Sequence, residues 1–133
     1  MMDNLDNKPQ LTNLFNSFWA PLITRLKRIN PELKLIAEQA DWASFGFDYL
    51  EKSGVDRVFA FRLAFAIRNM NKNEIVAMAD STFRFTPPGK QQIVFIGNHD
   101  MDRFSSITRQ DAGKNKIGAA LNMLIGGIPS IYY

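Results

Sequence analysis

Asn98, His99, Asp100, Asp102 and Arg103 stand within six residues of one another, and His99 is the only histidine of the 133. An imidazole, two carboxylates and a guanidinium in so short a run can exchange protons, stabilise a developing positive charge, or bind a polar ligand through charge-assisted hydrogen bonds. Turns also favour Asn and Asp for a purely local reason, because their side chains bond nearby backbone groups. Burying such charges unpaired is costly, so a cleft in which they pair is the expected setting. A further carboxylate, Glu38, ends the run LKLIA (33–37), with Trp42 four residues beyond it.

The elements that must hold these groups can be read from the apolar pattern. Ile93, Val94, Phe95 and Ile96 lie between the turn residues Pro87, Pro88, Gly89 and Gly97. That pattern predicts a short strand buried on both faces, as in parallel sheets. Residues 33–37 predict another strand, Val58–Phe61 a third, and Ile128–Tyr133 a fourth. With the third ending there, Phe61 and Arg62 fall at its carboxyl end, where packing and a surface charge are the simpler readings and a place in the cleft the alternative.

Between them run helical signals. Leu11, Leu14, Phe15, Phe18, Trp19, Leu22, Ile23 and Leu26 recur at three- and four-residue spacing and predict an amphipathic helix to about Ile29. Pro21 must kink that helix or restart it from its first turn. Ser44–Ser53 predicts a short helix closed by Gly54. Ile75, Val76, Ala79 and Phe83 mark another, with Asn71 and Glu74 spaced as a capping box. Asp111 is placed to cap a last helix, Ala112–Ile125, burying Ile117, Ala120, Leu121 and Leu124, with Gly126 and Gly127 ending it.

Strands and helices thus alternate, with strands starting near residues 33, 57, 92 and 129 and no hairpin signal among them. Such alternation argues for parallel pairing through right-handed crossovers, an α/β fold. In that architecture chemistry sits just beyond the carboxyl ends of strands, where Glu38 and residues 98–103 fall.

Composition narrows the classes. Hydrophobic residues make up 46% and charged residues 22%, ordinary for a globular chain. The net charge of +3 is mild and its Lys and Arg are scattered, so nucleic acid is not an expected partner. With no Cys, a disulfide framework and a thiolate metal site are excluded. Residues 1–10 are polar and acidic and are expected to form a disordered tail. They lack the features of a signal peptide, and no apolar run reaches 18 residues, so no membrane span is expected.

The run Phe95-Ile96-Gly97-Asn98-His99-Asp100 resembles the last short conserved region of the α-amylase family of glycoside hydrolases, family 13, in which F-x-x-N-H-D ends the seventh strand of a (β/α)8 barrel. Ile36-Ala37-Glu38-Gln39-Ala40-Asp41-Trp42 resembles the region on the fifth strand that carries the general acid/base Glu, with Ala37 where the family usually has Gly. The closing residues 128–133 resemble the eighth strand. The resemblance implies that Glu38 is the proton donor and Asp100 the transition-state stabiliser. It also implies that His99 binds the sugar, with Asn98, Arg103 and Trp42 as further substrate contacts. It makes residues 11–133 a half barrel, from the fourth helix to the eighth strand, and an α-glucan or maltooligosaccharide the substrate.

At 133 residues the chain is about half of the ~250 that a full barrel needs. The family's nucleophile lies in a G-x-R-x-D segment, and none occurs here. A retaining glycosidase needs two carboxylates about 5 Å apart, one with its pKa raised to act as acid, so the isolated chain is expected not to hydrolyse glucans. No cofactor is expected in this segment; the calcium of some family members belongs to an inserted loop domain this sequence lacks. Four parallel strands would leave two open edges, which implies self-association or pairing with a complementary half barrel. A non-catalytic glucan-binding or remnant module is the competing class. A metal-dependent hydrolase using His99, Asp100 and Asp102 is a weaker third, for want of a spaced third ligand.

Overall fold

The computed structural model describes residues 14–38 and 44–132. Four strands, β1 (Ile36–Ala37), β2 (Arg57–Phe59), β3 (Gln91–Val94) and β4 (Ile128–Pro129), form one parallel sheet in the order β1-β2-β3-β4. Sheet order therefore repeats chain order, as in a singly wound barrel, whereas a doubly wound sheet reverses its strand order. This is the parallel α/β pairing that the alternation predicts, in the partial barrel that the family resemblance implies. The expected disordered tail, Leu11, Trp42 and Tyr133 lie outside the described residues.

The strands are short and slightly displaced from expectation. β1 keeps only the last two of its five expected residues, and β3 starts and ends two residues early. Register pairs Ala37 with Val58, Phe59 with Ile93, and Val94 with Pro129. Because side chains alternate along a strand, Ala37, Val58 and Val94 point one way, towards the helices. Ala37 and Val58 join Phe15, Ile23, Tyr49 and Leu50 in one core cluster, and Val94 joins Leu63, Ile67 and Phe104 in a second.

On the first side, a widened helical turn at Phe15–Trp19 runs straight into helix α1 (Ala20–Ile29), which carries Pro21 in its first turn. Pro21 has no amide to give to the turn before it, and the widened turn, in which Ala20 N donates to the Phe15 carbonyl, carries the helix past it without a break. A second widened turn, Tyr49–Ser53, ends at Gly54 with φ 89°, the left-handed conformation expected of a glycine stop.

The expected strand Val58–Phe61 requires correction. It ends at Phe59, and Phe61 opens helix α2 (Phe61–Asn69), a helix missing from the elements expected from the sequence. A short apolar run fits either state. Here the helix wins because it buries Leu63 and Ile67 in one core cluster and Phe61 and Ala64 in another. Phe61 packs edge-on against Phe95 with centroids 5.0 Å apart, and Arg62 lies 4.5 Å over the ring of Phe45, so neither lines a cleft by that route.

Helix α3 (Lys72–Arg84) begins as expected, with Asn71 Oδ1 accepting from the amides of Asn73 at 3.0 Å and Glu74 at 3.2 Å. Glu74 accepts instead from the side-chain amide of Asn69, so the cap rests on Asn71, the first half of a capping box. A short helix, α4 (Phe104–Ile107), precedes helix α5 (Ala112–Leu124), whose cap Asp111 accepts from Lys114 N at 2.9 Å.

The buried face of α5 also differs from expectation. Ile117 and Leu124 are 52% and 82% exposed, whereas Gly118 and Asn122 are buried. The true face is turned by about one residue, roughly 100°. Phe104 occupies the space beside Gly118, where any Cβ would lie 2.3 Å from its ring, and Asn122 Nδ2 donates to the Ser130 carbonyl. The outward Ile117 and Leu124 misled the pattern.

At the amino edge of the sheet the strands are tied together through Asp56. Its carboxylate accepts from Lys27 Nζ at 2.8 Å and from the Leu35 amide at 2.9 Å, and its carbonyl accepts from Gln91 N. Burial alone raises the Asp56 carboxyl, but the Lys27 and Leu35 hydrogen bonds and the charges of Lys27 and Lys34 outweigh it, leaving it below the usual range.

Candidate active site

All four strands are parallel, so their carboxyl ends share one edge, opposite the Asp56 tie. Glu38 leaves β1 at that edge, half-buried in a hollow that it lines with Trp19, Leu22, Ile36 and Phe59. The loop after β3 rises from the same edge. Phe95, at its root, is buried against Phe59 and Phe61 and anchors the loop in the core.

Beyond Phe95 the chain turns tightly. Asn98 Oδ1 accepts from the amide of Asp100 at 3.1 Å, and the Asn98 carbonyl accepts from Met101 N at 3.4 Å. Asn98 therefore has the local, loop-shaping role that an Asx turn gives it. His99 and Asp100 stand out from that turn, exposed, with Nε2 and Oδ1 3.5 Å apart. Asp102 lends its carbonyl, and Ile96 lends another, to the guanidinium of Arg68 on α2, at 2.8 and 2.7 Å.

Arg103 ends the loop and starts α4, its carbonyl accepting from Ser106 N. It lines a second hollow of about 390 Å³ with Phe104, Asn122, Ser130 and Tyr132. The ring of Tyr132, just past β4, lies 5.4 Å from that of His99, tilted by 33°.

The structure thus sets Glu38 and residues 98–103 on one edge. β1 and β3 are separated by β2, so their backbones stand on the order of 10 Å apart. Glu38 and Arg103 face different hollows, with the His99–Asp100 turn exposed near the second. Trp42 falls outside the described residues. Among the described residues no three His, Asp or Glu side chains gather closely enough to hold a metal ion. No described helix is long and apolar enough to cross a membrane.

Sequence reasoning missed two participants. Tyr132 was legible only as part of a strand, although an aromatic at the end of the strand next to the His99 loop was a usable signal. Arg68 left none, since its partners lie 28 and 34 residues further along the chain.

No family model matches the chain. Two curated relatives, cyclomaltodextrin glucanotransferases from Niallia circulans and from Bacillus sp. (strain 6.6.3), are each 32% identical to it over 92 residues. That match takes in 65% of this chain and 12% of each relative, so the chain spans a small part of their length. The crystal structure of an α-amylase from H. orenii superposes with a TM-score of 0.75 at 22% identity, covering 86% of this chain and 25% of the amylase.

Proposed function

The chain is related to the α-amylase family of glycoside hydrolases, and on that premise we propose that it is the second half of such a catalytic barrel, made for α-glucans or maltooligosaccharides. In this reading Glu38 donates its proton to the glycosidic oxygen as the bond to the anomeric carbon breaks. Asp100 stabilises the positive charge that develops on the sugar ring. His99, Asn98 and Arg103 hydrogen-bond the sugar hydroxyls, and Trp42 adds an apolar contact. The placement of Glu38 and the Asn98-His99-Asp100 turn on the same carboxyl edge, two strands apart, is the observation that carries this reading.

The nucleophile is not among these residues. A retaining mechanism needs a second carboxylate about 5 Å from the acid, and no G-x-R-x-D segment occurs in the chain. Alone, the polypeptide binds glucan without cleaving it. Among the described residues β1 pairs only with β2 and β4 only with β3, and Ile36 on the outer strand β1 is 50% exposed. These edges suit a complementary half barrel or a second copy of this chain, which would pair them.

Titration with maltotetraose followed by NMR, beside a chromogenic maltooligosaccharide assay, tests the reading. Saturable binding that His99→Ala and Asp100→Asn weaken is expected, with no release of chromophore. Turnover abolished by Glu38→Gln would overturn the inactivity of the chain alone, and absence of binding would overturn the glucan assignment itself.

A further inference from the structure

The His99–Asp100 turn projects from the edge of the sheet, yet the structure holds it by a residue far from it in sequence. Arg68 Nη1 donates to the Ile96 carbonyl at 2.7 Å and Nη2 to the Asp102 carbonyl at 2.8 Å. The two acceptors bracket residues 97–101, the five that include Asn98, His99 and Asp100. A guanidinium is planar, with its donors at fixed spacing, so binding both carbonyls sets the two ends of the loop relative to each other.

The base from which Arg68 reaches is firm. Leu63, Ala64, Ala66 and Ile67 of α2 are fully buried, and Phe61 and Ala64 pack with Phe95 at the root of the same loop. Within the loop, Asp100 N to Asn98 Oδ1 and Met101 N to the Asn98 carbonyl are local bonds that fix its shape; Met101 packs on the Phe61–Phe95 cluster, and the Arg68 fork ties both ends of the loop to α2.

We propose that Arg68 is the positioning residue of the sugar-contacting loop: its forked hydrogen bonds to Ile96 and Asp102 place His99 against Tyr132, with Asp100 beside it, at the carboxyl edge. This rests on the glucan reading for what the loop contacts, and on geometry alone for how the loop is held. A basic residue in the last turn of a helix also favours the helix dipole. Lysine keeps that charge and loses the fork, which separates the two roles.

The test compares the full chain with Arg68→Lys and Arg68→Ala by amide hydrogen exchange and by the NMR signals of the His99 ring. In Arg68→Lys the melting temperature and the exchange of the Leu63, Ile67 and Val94 amides are expected to stay near wild type. The Asp100 and Met101 amides should exchange about tenfold faster. The His99 ring signals should shift as the nearby Tyr132 ring current changes. Loop exchange and His99 signals unchanged in Arg68→Lys, or altered only in step with the core, would overturn the proposal. If Arg68→Ala fails to fold, the lysine variant decides alone. Wild-type chain that binds no maltotetraose sinks the glucan reading and leaves the exchange result to judge Arg68.

Discussion

The rings of His99 and Tyr132 face each other with centroids 5.4 Å apart and planes tilted by 33°. The loop after β3 therefore meets the end of β4, and the two exposed rings form one surface beside Asp100. Aromatic faces in ligand sites supply apolar contact at small entropic cost. Removing this one by Tyr132→Ala is expected to weaken maltotetraose binding about three- to tenfold, equivalent to roughly 0.5–1.5 kcal/mol. Its melting temperature should be unchanged, because the ring is exposed. An affinity equal to wild type would remove Tyr132 from the site.

Asp56 gives the fold a pH dependence of definite sign. Its carboxyl is held below the unfolded value, so the stability it contributes is fully present above about pH 5 and is lost as pH falls through the lowered folded pKa. Asp56→Asn should therefore be less stable at pH 7 by about 2 kcal/mol, through loss of a partly buried charged pair with Lys27. Its stability should also fall less steeply below pH 5 than wild type. Urea unfolding across pH 3–7 checks both, and parallel curves would refute the assignment.

Gly118→Ala is expected to destabilise by about 1–3 kcal/mol, because the new methyl would collide with the Phe104 ring. In an open helix the same change would stabilise by about 1 kcal/mol. The sign of the shift in the urea midpoint thus reports whether Phe104 lies against α5.

The open edges of β1 and β4 carry a prediction about assembly. Sedimentation velocity should show the chain associating as its concentration rises. Ile36→Lys, which places a charge on the β1 edge, should shift it towards monomer. A wild-type chain that stays monomeric throughout would count against pairing at these edges.

What could be read from the sequence follows from the range of the interactions involved. The short apolar run at 93–96 and the turn residues around it announced a strand, which lies two residues earlier, and Asn71, Asp111 and Gly54 announced their caps and stop because those contacts span only a few residues. The start of α2 was hidden because the apolar residues of Val58–Phe61 satisfy strand and helix alike. The face of α5 was misread because Ile117 and Leu124 have no partner in the described residues that buries them. Glu38 and residues 98–103 could be assigned to strand ends, whereas the grip of Arg68 on the loop arises only once α2 is folded against β3.

The agreement between sheet order and chain order has a consequence for how such a molecule is made and remade. Each strand docks on the one synthesised just before it, so the polypeptide can assemble stepwise from its first unit as it leaves the ribosome, with no late segment threading between earlier ones. Growth by appending another strand and helix meets no topological obstacle at either rim, which makes fusion of separate segments into a closed ring a short evolutionary step.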